Sequence, residues 1–520
     1  MVLSGPELAG PARLYDVLGN APADRPDEVA LVSAADSWTW RQLDRDINAL
    51  AAHLVSIGLR RGDCVASLMP NCGELLIYQL ACLKAGLTLI PLNYRYTPSN
   101  IDHALGVCEA KLLLTHAERA ADIAASEMVD RLSLGLICAC GPMAEAKLFE
   151  DLIRSDASRC DFPEPDIHAP AFIFFTSGST GEPKGVMHSP STFGSIVASF
   201  AQAMDLSQRD IVFPGGSISH VGSLSTALAA LSVGACVVLA RSFDGDLVLH
   251  LLRTQRPTVL VALPAALIAL QRDHAAKRED FGSVRLCITG GDKFPVDLER
   301  EFAGLTGLEI KETYGLTEAA DFTLDPPSRA TKSGSVGLLC PGYSASLRDA
   351  DGTEVSTGTD GIMWICGDPV FLGYWKNPVA TAEAFSDGWF NTGDVMRADA
   401  DGYLWFRGRK KQIIVHDGSN ISPQEVEEAV LLHPAVDLAG VVGVHDAVHG
   451  ENVWAYVTIK DGAARPTAAE IIRTARQEVG YKAPEIIHFL EKMPLNATGK
   501  VDRFYLKKLA ADRLSADHVQ

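Results

Sequence analysis

One stretch of this sequence concentrates groups that could hold phosphate. Phe172-Ile173-Phe174-Phe175 runs into Thr176-Ser177-Gly178-Ser179-Thr180-Gly181-Glu182-Pro183-Lys184-Gly185, and Val186-Met187-His188 follows. Gly178, Gly181 and Gly185 permit backbone angles that turn amide N–H groups into one concavity. Thr176, Ser177, Ser179 and Thr180 add hydroxyl donors, and Lys184 adds a point charge. Together they are suited to a polyphosphate. Two familiar phosphate loops do not fit. Pro183 and Gly185 flank Lys184, whereas a Walker loop needs Gly-Lys-Ser/Thr. No G-x-G-x-x-G opens a helix here either.

Three further segments carry groups of chemical interest. Glu312-Thr313-Tyr314-Gly315-Leu316-Thr317-Glu318 follows a predicted strand and ends in a hydroxyl beside a carboxylate. Thr392-Gly393-Asp394 stands ahead of Gly408-Arg409, and Asn496-Ala497-Thr498-Gly499-Lys500 lies near the C-terminus. Taken singly, each has a plain structural reading. A Thr-Glu pair caps helices, Gly-Asp makes a hairpin turn, and most lysines are solvated.

The elements that must position these groups can be read from hydrophobic periodicity. The apolar runs on either side of the Thr176–Lys184 loop predict two strands, and Ser189-Pro190 predicts the N-cap and first-turn proline of a helix over 191–204. Leu43, Ile47, Leu50, Leu54 and Ile57 recur at spacings of four, three, four and three, the stripe of an amphipathic helix closed by Gly58. Strand and helix then alternate through Cys64–Leu68, Leu76–Lys84, Leu87–Pro91, Ile211–Phe213, Leu224–Leu231, Ala235–Ala240, Val259–Val261, Leu286–Thr289 and Glu309–Lys311, which predicts parallel βαβ units. Between Ser335 and Phe406 short strands and Gly/Asp turns predict a β-rich lobe. A second α/β pattern follows, with helices over 423–431 and 468–479 and strands near 438–444 and 453–459.

At 520 residues the chain exceeds ordinary single-domain size, so two or more packed units are expected. A net charge of −19 argues against a nucleic-acid partner, which calls for a basic face. Eleven cysteines are scattered, mostly in apolar runs, and no signal peptide precedes them, so a reducing cytoplasm is expected. Cys138-Ala139-Cys140 lacks a second Cys/His pair for zinc and reads as core. The apolar stretch Val259–Leu270 is broken by Pro264 and too short to span a bilayer, so no transmembrane segment is expected.

Taken in order, Thr176–Gly185, Glu312–Glu318, Thr392–Asp394, Gly408-Arg409 and Pro494–Arg503 resemble the motif series of the acyl-adenylate-forming enzymes, in the branch of the acyl-CoA synthetases. The resemblance runs from Thr39 to Arg503 and implies an α/β fold. A large N-terminal domain, 1–408, would hold two doubly wound α/β lobes and a β-barrel-like lobe, and a small mobile α+β domain, 409–520, would follow. It implies ATP, Mg²⁺ and coenzyme A as cofactors. The phosphate loop Thr176, Ser177, Gly178, Ser179, Thr180, Gly181 and Lys184 would hold the polyphosphate, with Gly290, Gly291, Asp292, Glu312, Thr313, Tyr314, Gly315 and Thr317 around the nucleotide. Tyr314 would stack on adenine and Thr317 would contact the α-phosphate. Glu318 and the Thr180 hydroxyl would hold the metal, Asp394 the ribose, and Arg409 the ribose or phosphate. Lys411 would be the hinge, where the family often has Asp. Lys500 would be the catalytic cation.

By the same resemblance His220, Gly222, Ser223, Gly290, Gly315, Leu316 and Ala319 would line the acid pocket, with His220 at its gate. No carboxylate stands in Phe213–Gly216, where amino-acid-activating relatives bind the substrate ammonium, so an uncharged acyl or aryl carboxylate is expected. Coenzyme A is the expected acceptor because the chain carries no carrier-protein domain. His416-Asp417-Gly418 would line the pantetheine tunnel, but Asp417 replaces the usual glycine. Transfer to a carrier protein or another nucleophile therefore stays open, as does a homodimer.

Overall fold

A computed structural model describes residues 1–33, 36–154, 162, 166–176, 183–242, 245–272, 274, 276–291, 296–416, 419–446, 450–496 and 500–517. Ser177–Glu182 of the phosphate loop, Asp292, Asp417, Gly418 and Ala497–Gly499 lie outside the described residues, so the expectations for Ser177, Gly178, Ser179, Thr180 and Gly181 lie there too. The chain divides into two compact units. The larger comprises 3–345 and 365–390; the smaller comprises 1–2, 346–364 and 391–520.

The larger unit is built on two sheets. In the first, strands Ile310–Leu316, Leu286–Thr289, Val259–Ala262, Ile211–Phe213, Cys236–Leu239 and Val29–Ser33 are neighbours in that order and run parallel. Ala320–Leu324 and Asp36–Thr39 extend its flanks in the antiparallel sense. In the second, Phe172–Phe175, Thr88–Pro91, Cys64–Leu68, Leu112–His116, Leu136–Ala139 and Ala146–Leu148 run parallel, and Gly185–His188 pairs antiparallel with Phe172–Phe175. The predicted βαβ alternation is therefore present. Parallel strands are covered on both faces, which is why Cys64–Leu68 and Leu112–His116 are buried at every position.

Local signals set the helix starts. Thr39 and Gln42 form a reciprocal capping box ahead of Trp40–Ser56, whose Leu43, Ile47, Leu50 and Leu54 are buried. Ser189 caps Pro190–Ala203, with proline in the first turn. One expectation differs. Cys138 is buried, but Cys140 is exposed at a left-handed turn (φ 60°), because the strand ends at Ala139.

In the smaller unit the strand Trp389–Ala398, from Asn391 onward, pairs antiparallel with Leu404–Arg409. Val436–Asp446 and Gly450–Ile459 pair antiparallel, and Ile486–Phe489 adds in parallel. Helices Pro423–Leu431 and Ala468–Val479 contribute Val426, Val430, Ile471 and Ala475 to one buried cluster with Val441, Val453 and Val457. Helix Arg503–Asp517 contributes Leu506 and Ala510 to a second cluster, with Val442, Trp454 and Tyr456. Gly408, Arg409 and Lys411 all lie within this unit.

Candidate active site

The phosphate-loop segment connects two antiparallel strands that pair Phe175 with Gly185 and Phe172 with His188. Its base is closed where the Thr176 N–H donates to the Lys184 carbonyl at 3.0 Å. The loop leaves the C-terminal end of a parallel strand, the side on which open α/β sheets bind ligands. Lys184 does not extend freely. Its ammonium lies over the ring of Tyr374, 4.9 Å from the centroid. Tyr374 belongs to the short strand Gly373–Tyr374, which pairs with Gly185–His188.

Glu312–Glu318 was expected to follow a strand, but most of it is strand. Ile310–Leu316 continues through the motif because Ala320–Leu324 folds back antiparallel and takes up its backbone hydrogen bonds. The register slips between Tyr314 and Gly315, a bulge. At Gly315 the returning chain passes so close that a Cβ would stand 2.1 Å from the Ala320 carbonyl oxygen, so only glycine fits. Gly290 is similarly constrained, since a Cβ there would lie 2.4 Å from Thr313 Cγ2. Glu312 is buried, and the Thr313 hydroxyl donates to the Thr323 carbonyl at 2.6 Å. Tyr314 is half-buried, edge-on to Phe322 at 5.2 Å.

Two long-range contacts tie this motif to the hairpin. The Tyr374 hydroxyl donates to Glu318 Oε1 at 2.8 Å, so one side chain touches both Lys184 and Glu318. Burial, and then the Glu318 charge, raise the Tyr374 pKa above its ordinary value, which keeps the phenol protonated as a donor. His188, fully buried among Phe174 and Phe193, lies with Nε2 2.9 Å from the Thr317 carbonyl oxygen. Desolvation lowers its pKa to about 4, so the ring is neutral and Nε2–H donates. Neither Tyr374 nor His188 was singled out by sequence reasoning. The only available signal was the apolar Phe371-Leu372-Gly373-Tyr374-Trp375 run, which reads as ordinary core.

Among the residues expected to line an acid pocket, His220 precedes helix Val221–Ser232 and makes no side-chain cap to it. It is solvent-exposed yet densely surrounded by protein, and desolvation lowers its pKa. Gly222 and Ser223 form the first turn of that helix, half-buried. Opposite Gly222 stands Asp321, whose Oδ2 would lie 3.2 Å from a Cβ on that glycine. Leu316 and the buried Ala319 close the turn between them, the Ala319 N–H donating to the Leu316 carbonyl at 3.1 Å. Gly291, at φ 83°, faces Leu263.

In the smaller unit Asp394 is fully buried and ion-paired with Arg409 Nε at 3.2 Å, the two residues being directly opposite on paired strands. Lys411 lies in the short turn Lys410–Gln412. His416 ends one strand of a hairpin, with Nδ1 2.7 Å from the Glu451 carbonyl oxygen. Lys500 is exposed at the foot of its loop, its N–H donating to Asn496 Oδ1 at 3.1 Å while the Asn496 N–H donates to its carbonyl at 2.8 Å.

Residues 18–375 match the family model described as AMP-binding enzyme, and residues 425–500 match the AMP-binding enzyme C-terminal domain. The chain belongs to this family of adenylate-forming enzymes and is an enzyme of that class. It is 32% identical over 500 residues to a feruloyl-CoA synthase of an Amycolatopsis species, covering 93% of this chain and 97% of that protein. Its fold is similar to that of ATP-bound MatB from Rhodopseudomonas palustris, with a TM-score of 0.88 and 29% identity over 96% of this chain and 99% of that one. It is also similar to the amide bond synthetase McbA from Marinactinospora thermotolerans, with a TM-score of 0.83 and 26% identity over 96% and 98% of the two chains. Among the described residues no helix is long and apolar enough to cross a membrane.

Proposed function

We propose that the protein is an ATP-dependent ligase that joins an acyl or aryl carboxylic acid to coenzyme A in two steps. In the first, a carboxylate oxygen of the acid attacks the α-phosphorus of ATP, the bond to the bridging oxygen breaks, and pyrophosphate leaves with its electron pair. In the second, the thiol of coenzyme A loses its proton and attacks the acyl carbonyl, forming the thioester and expelling AMP. One observation carries the reading: Lys184 and Glu318, a cation and a carboxylate from separate motifs, meet on the single side chain of Tyr374.

Lys184 offers its charge to the departing phosphates, and Thr176 bonds the Lys184 carbonyl at the loop base. Glu318 is a half-buried hard-oxygen donor, which fits a divalent cation, and the Thr180 hydroxyl is the proposed second ligand. Mg²⁺ would supply charge neutralisation on the phosphates. Tyr314 offers a half-buried ring face for the base, and Thr317, held through its carbonyl by His188, a hydroxyl for the α-phosphate. Asp394 would accept from the ribose hydroxyls, with Arg409 beside it. Lys500, exposed and bonded through its backbone to Asn496, would bring a mobile cation to the carboxylate and α-phosphate. We further propose that 1–408 and 409–520 act as the adenylating and lid portions, with Lys411 as hinge and His416, Asp417 and Gly418 as the thiol-arm contact. The free thiols among the described cysteines support a reducing, cytoplasmic setting.

A second reading gives the acyl group to a carrier protein or another nucleophile. It is favoured by Asp417 in the proposed thiol-arm loop and by the likeness to an amide bond synthetase. Pyrophosphate release with a panel of carboxylic acids, with and without coenzyme A, tests both. Oxygen-18 from the carboxylate should appear in AMP. ADP as product, or unlabelled AMP, would refute the scheme. Acyl-AMP that forms but never reaches coenzyme A would select the second reading.

A further inference from the structure

Two buried amides beside one sheet hold a segment that leaves the other. The segment, 214–220, connects strand Ile211–Phe213 to helix Val221–Ser232 and ends at His220. Asn71 stands just beyond the carboxyl end of strand Cys64–Leu68. Its buried Nδ2 donates to the Gly216 carbonyl at 2.8 Å and to the Ala240 carbonyl at 3.1 Å, and its Oδ1 accepts from the Ile218 N–H at 2.9 Å. Ala240 follows strand Cys236–Leu239, so the carboxyl ends of strands from both sheets converge on this one side chain. Gln79, fully buried in helix Gly73–Lys84, adds a further contact, its Nε2 donating to the Ile218 carbonyl at 2.9 Å. The segment itself turns tightly. Gly215 is at φ 77°, and a Cβ there would lie 2.2 Å from the Val261 carbonyl oxygen. Gly216 lies against Ser223, whose Oγ would be 2.2 Å from a Cβ at 216, and the His220 N–H donates to the Ser217 carbonyl at 2.9 Å.

Stability alone does not account for these amides. Among the described residues, Gln79 Oε1 and Ser219 Oγ are buried with no hydrogen-bond partner. An unpaired buried acceptor costs free energy that an apolar side chain of similar shape would avoid. What the amides supply is placement. They fix both the N–H and the carbonyl of Ile218, with Gly216 on one side and His220 on the other, at the strand ends where open α/β sheets receive ligands. We propose that Asn71 and Gln79 are positioning residues for acid recognition, which set the 216–220 backbone and through it His220 and Ser223, so that the carboxylic acid is received in a reactive orientation. The inference rests on the ligase reading and on the acid pocket expected at His220, Gly222 and Ser223. It adds that the placement of that pocket is imposed by the neighbouring sheet. The residues expected to hold ATP lie on other segments, so acid and nucleotide binding should respond differently to these two side chains.

The test uses the full-length enzyme and pyrophosphate release. A panel of aromatic and straight-chain carboxylic acids, benzoate, phenylacetate, hexanoate and decanoate among them, supplies the probe, and KM is measured separately for acid and ATP. Gln79→Met keeps the side-chain length and deletes the donor to Ile218. Asn71→Asp keeps the shape and deletes the donor to two carbonyls. Each should lower kcat/KM for the acid by roughly 10–100-fold, the scale on which a small displacement remote from the chemistry is felt, with KM for ATP unchanged. Thr258→Val is the control. It breaks a 2.7 Å hydrogen bond to Asp210 Oδ1 at the amino ends of strands in the same sheet as Ile211–Phe213, and it should lower the thermal midpoint with both KM values unchanged. A thermal midpoint that falls in Gln79→Met while acid kinetics stay as in wild type would overturn the inference. So would acid and ATP KM rising together, or an equal loss for the acid in Thr258→Val. Should Asn71→Asp fail to fold, Gln79→Met, which loses one contact, decides by itself. Pyrophosphate from no acid of the panel with wild type would instead overturn the ligase reading and this inference with it.

Discussion

Replacing Tyr374 with phenylalanine removes one oxygen from the link between the two phosphate-handling motifs. The ring would stay in place, because it packs against Phe371 at 5.0 Å between centroids and carries the Lys184 ammonium at 4.9 Å on its face. What is lost is the 2.8 Å hydrogen bond to Glu318 Oε1. A hydrogen bond to a charged group contributes ~1.5–3 kcal/mol. Glu318 is only half-buried and can take water in exchange, so the lower end applies, about 1.5 kcal/mol. If Glu318 is a metal ligand, that energy appears as a weaker grip on Mg²⁺, roughly tenfold, in line with the effect of outer-shell partners on metal sites. The assay is the initial rate of pyrophosphate release against free Mg²⁺ at saturating ATP and acid. The half-saturating Mg²⁺ concentration should rise about tenfold, with the plateau rate and the thermal midpoint little changed. Superimposable Mg²⁺ curves would refute the reasoning. A fall in plateau rate and midpoint together, with no change in Mg²⁺ dependence, would make Tyr374 a packing residue.

His188 should make stability depend on pH. Its folded pKa of about 4 lies below the ordinary 6.5, so the unfolded chain binds the proton first, and the contribution is complete above 6.5 and lost as pH falls toward 4. The difference amounts to about 3 kcal/mol, and denaturant midpoints of wild type and His188→Gln measured from pH 7 to 4.5 should converge by that order. Parallel midpoint curves would contradict it. Lys500→Ala should slow adenylation by ~3–4 kcal/mol, the scale for one preorganised charge donor, while thioester formation from supplied acyl-AMP falls much less. Equal losses in both half-reactions would make Lys500 structural. Lys411→Pro should fix φ in the Lys410–Gln412 turn, preserving acyl-AMP formation while transfer to coenzyme A fails. Unimpaired thioester yield per acyl-AMP would remove Lys411 as a hinge.

Much of the scaffold was legible in the sequence because its determinants are local. A capping box needs only residues three apart, so Thr39 with Gln42 and Ser189 with Thr192 announce helices without any tertiary information. Helices Pro423–Leu431 and Ala468–Val479 likewise follow from periodicity, and the phosphate-loop hairpin from two apolar runs about a polar turn. The ordered motifs were enough to identify the family.

What only the tertiary structure decided are contacts between residues distant in the chain. Tyr374 reaches Glu318 across 56 positions and His188 reaches Thr317 across 129, and neither side chain differs locally from ordinary core. The Glu312–Glu318 segment turned out to be strand because a partner strand, invisible to a local reading, supplies its hydrogen bonds. The sharpest case lies beside Gly222. No carboxylate stands in Phe213–Gly216, yet the fold brings Asp321 Oδ2 to 3.2 Å from the Cβ position of Gly222. It arrives there because the chain reverses at Ala320, in a left-handed conformation, and pairs back onto Gly315. Side-chain direction after such a reversal depends on the register of pairing, and register is set by packing of the whole sheet rather than by the residues on either side.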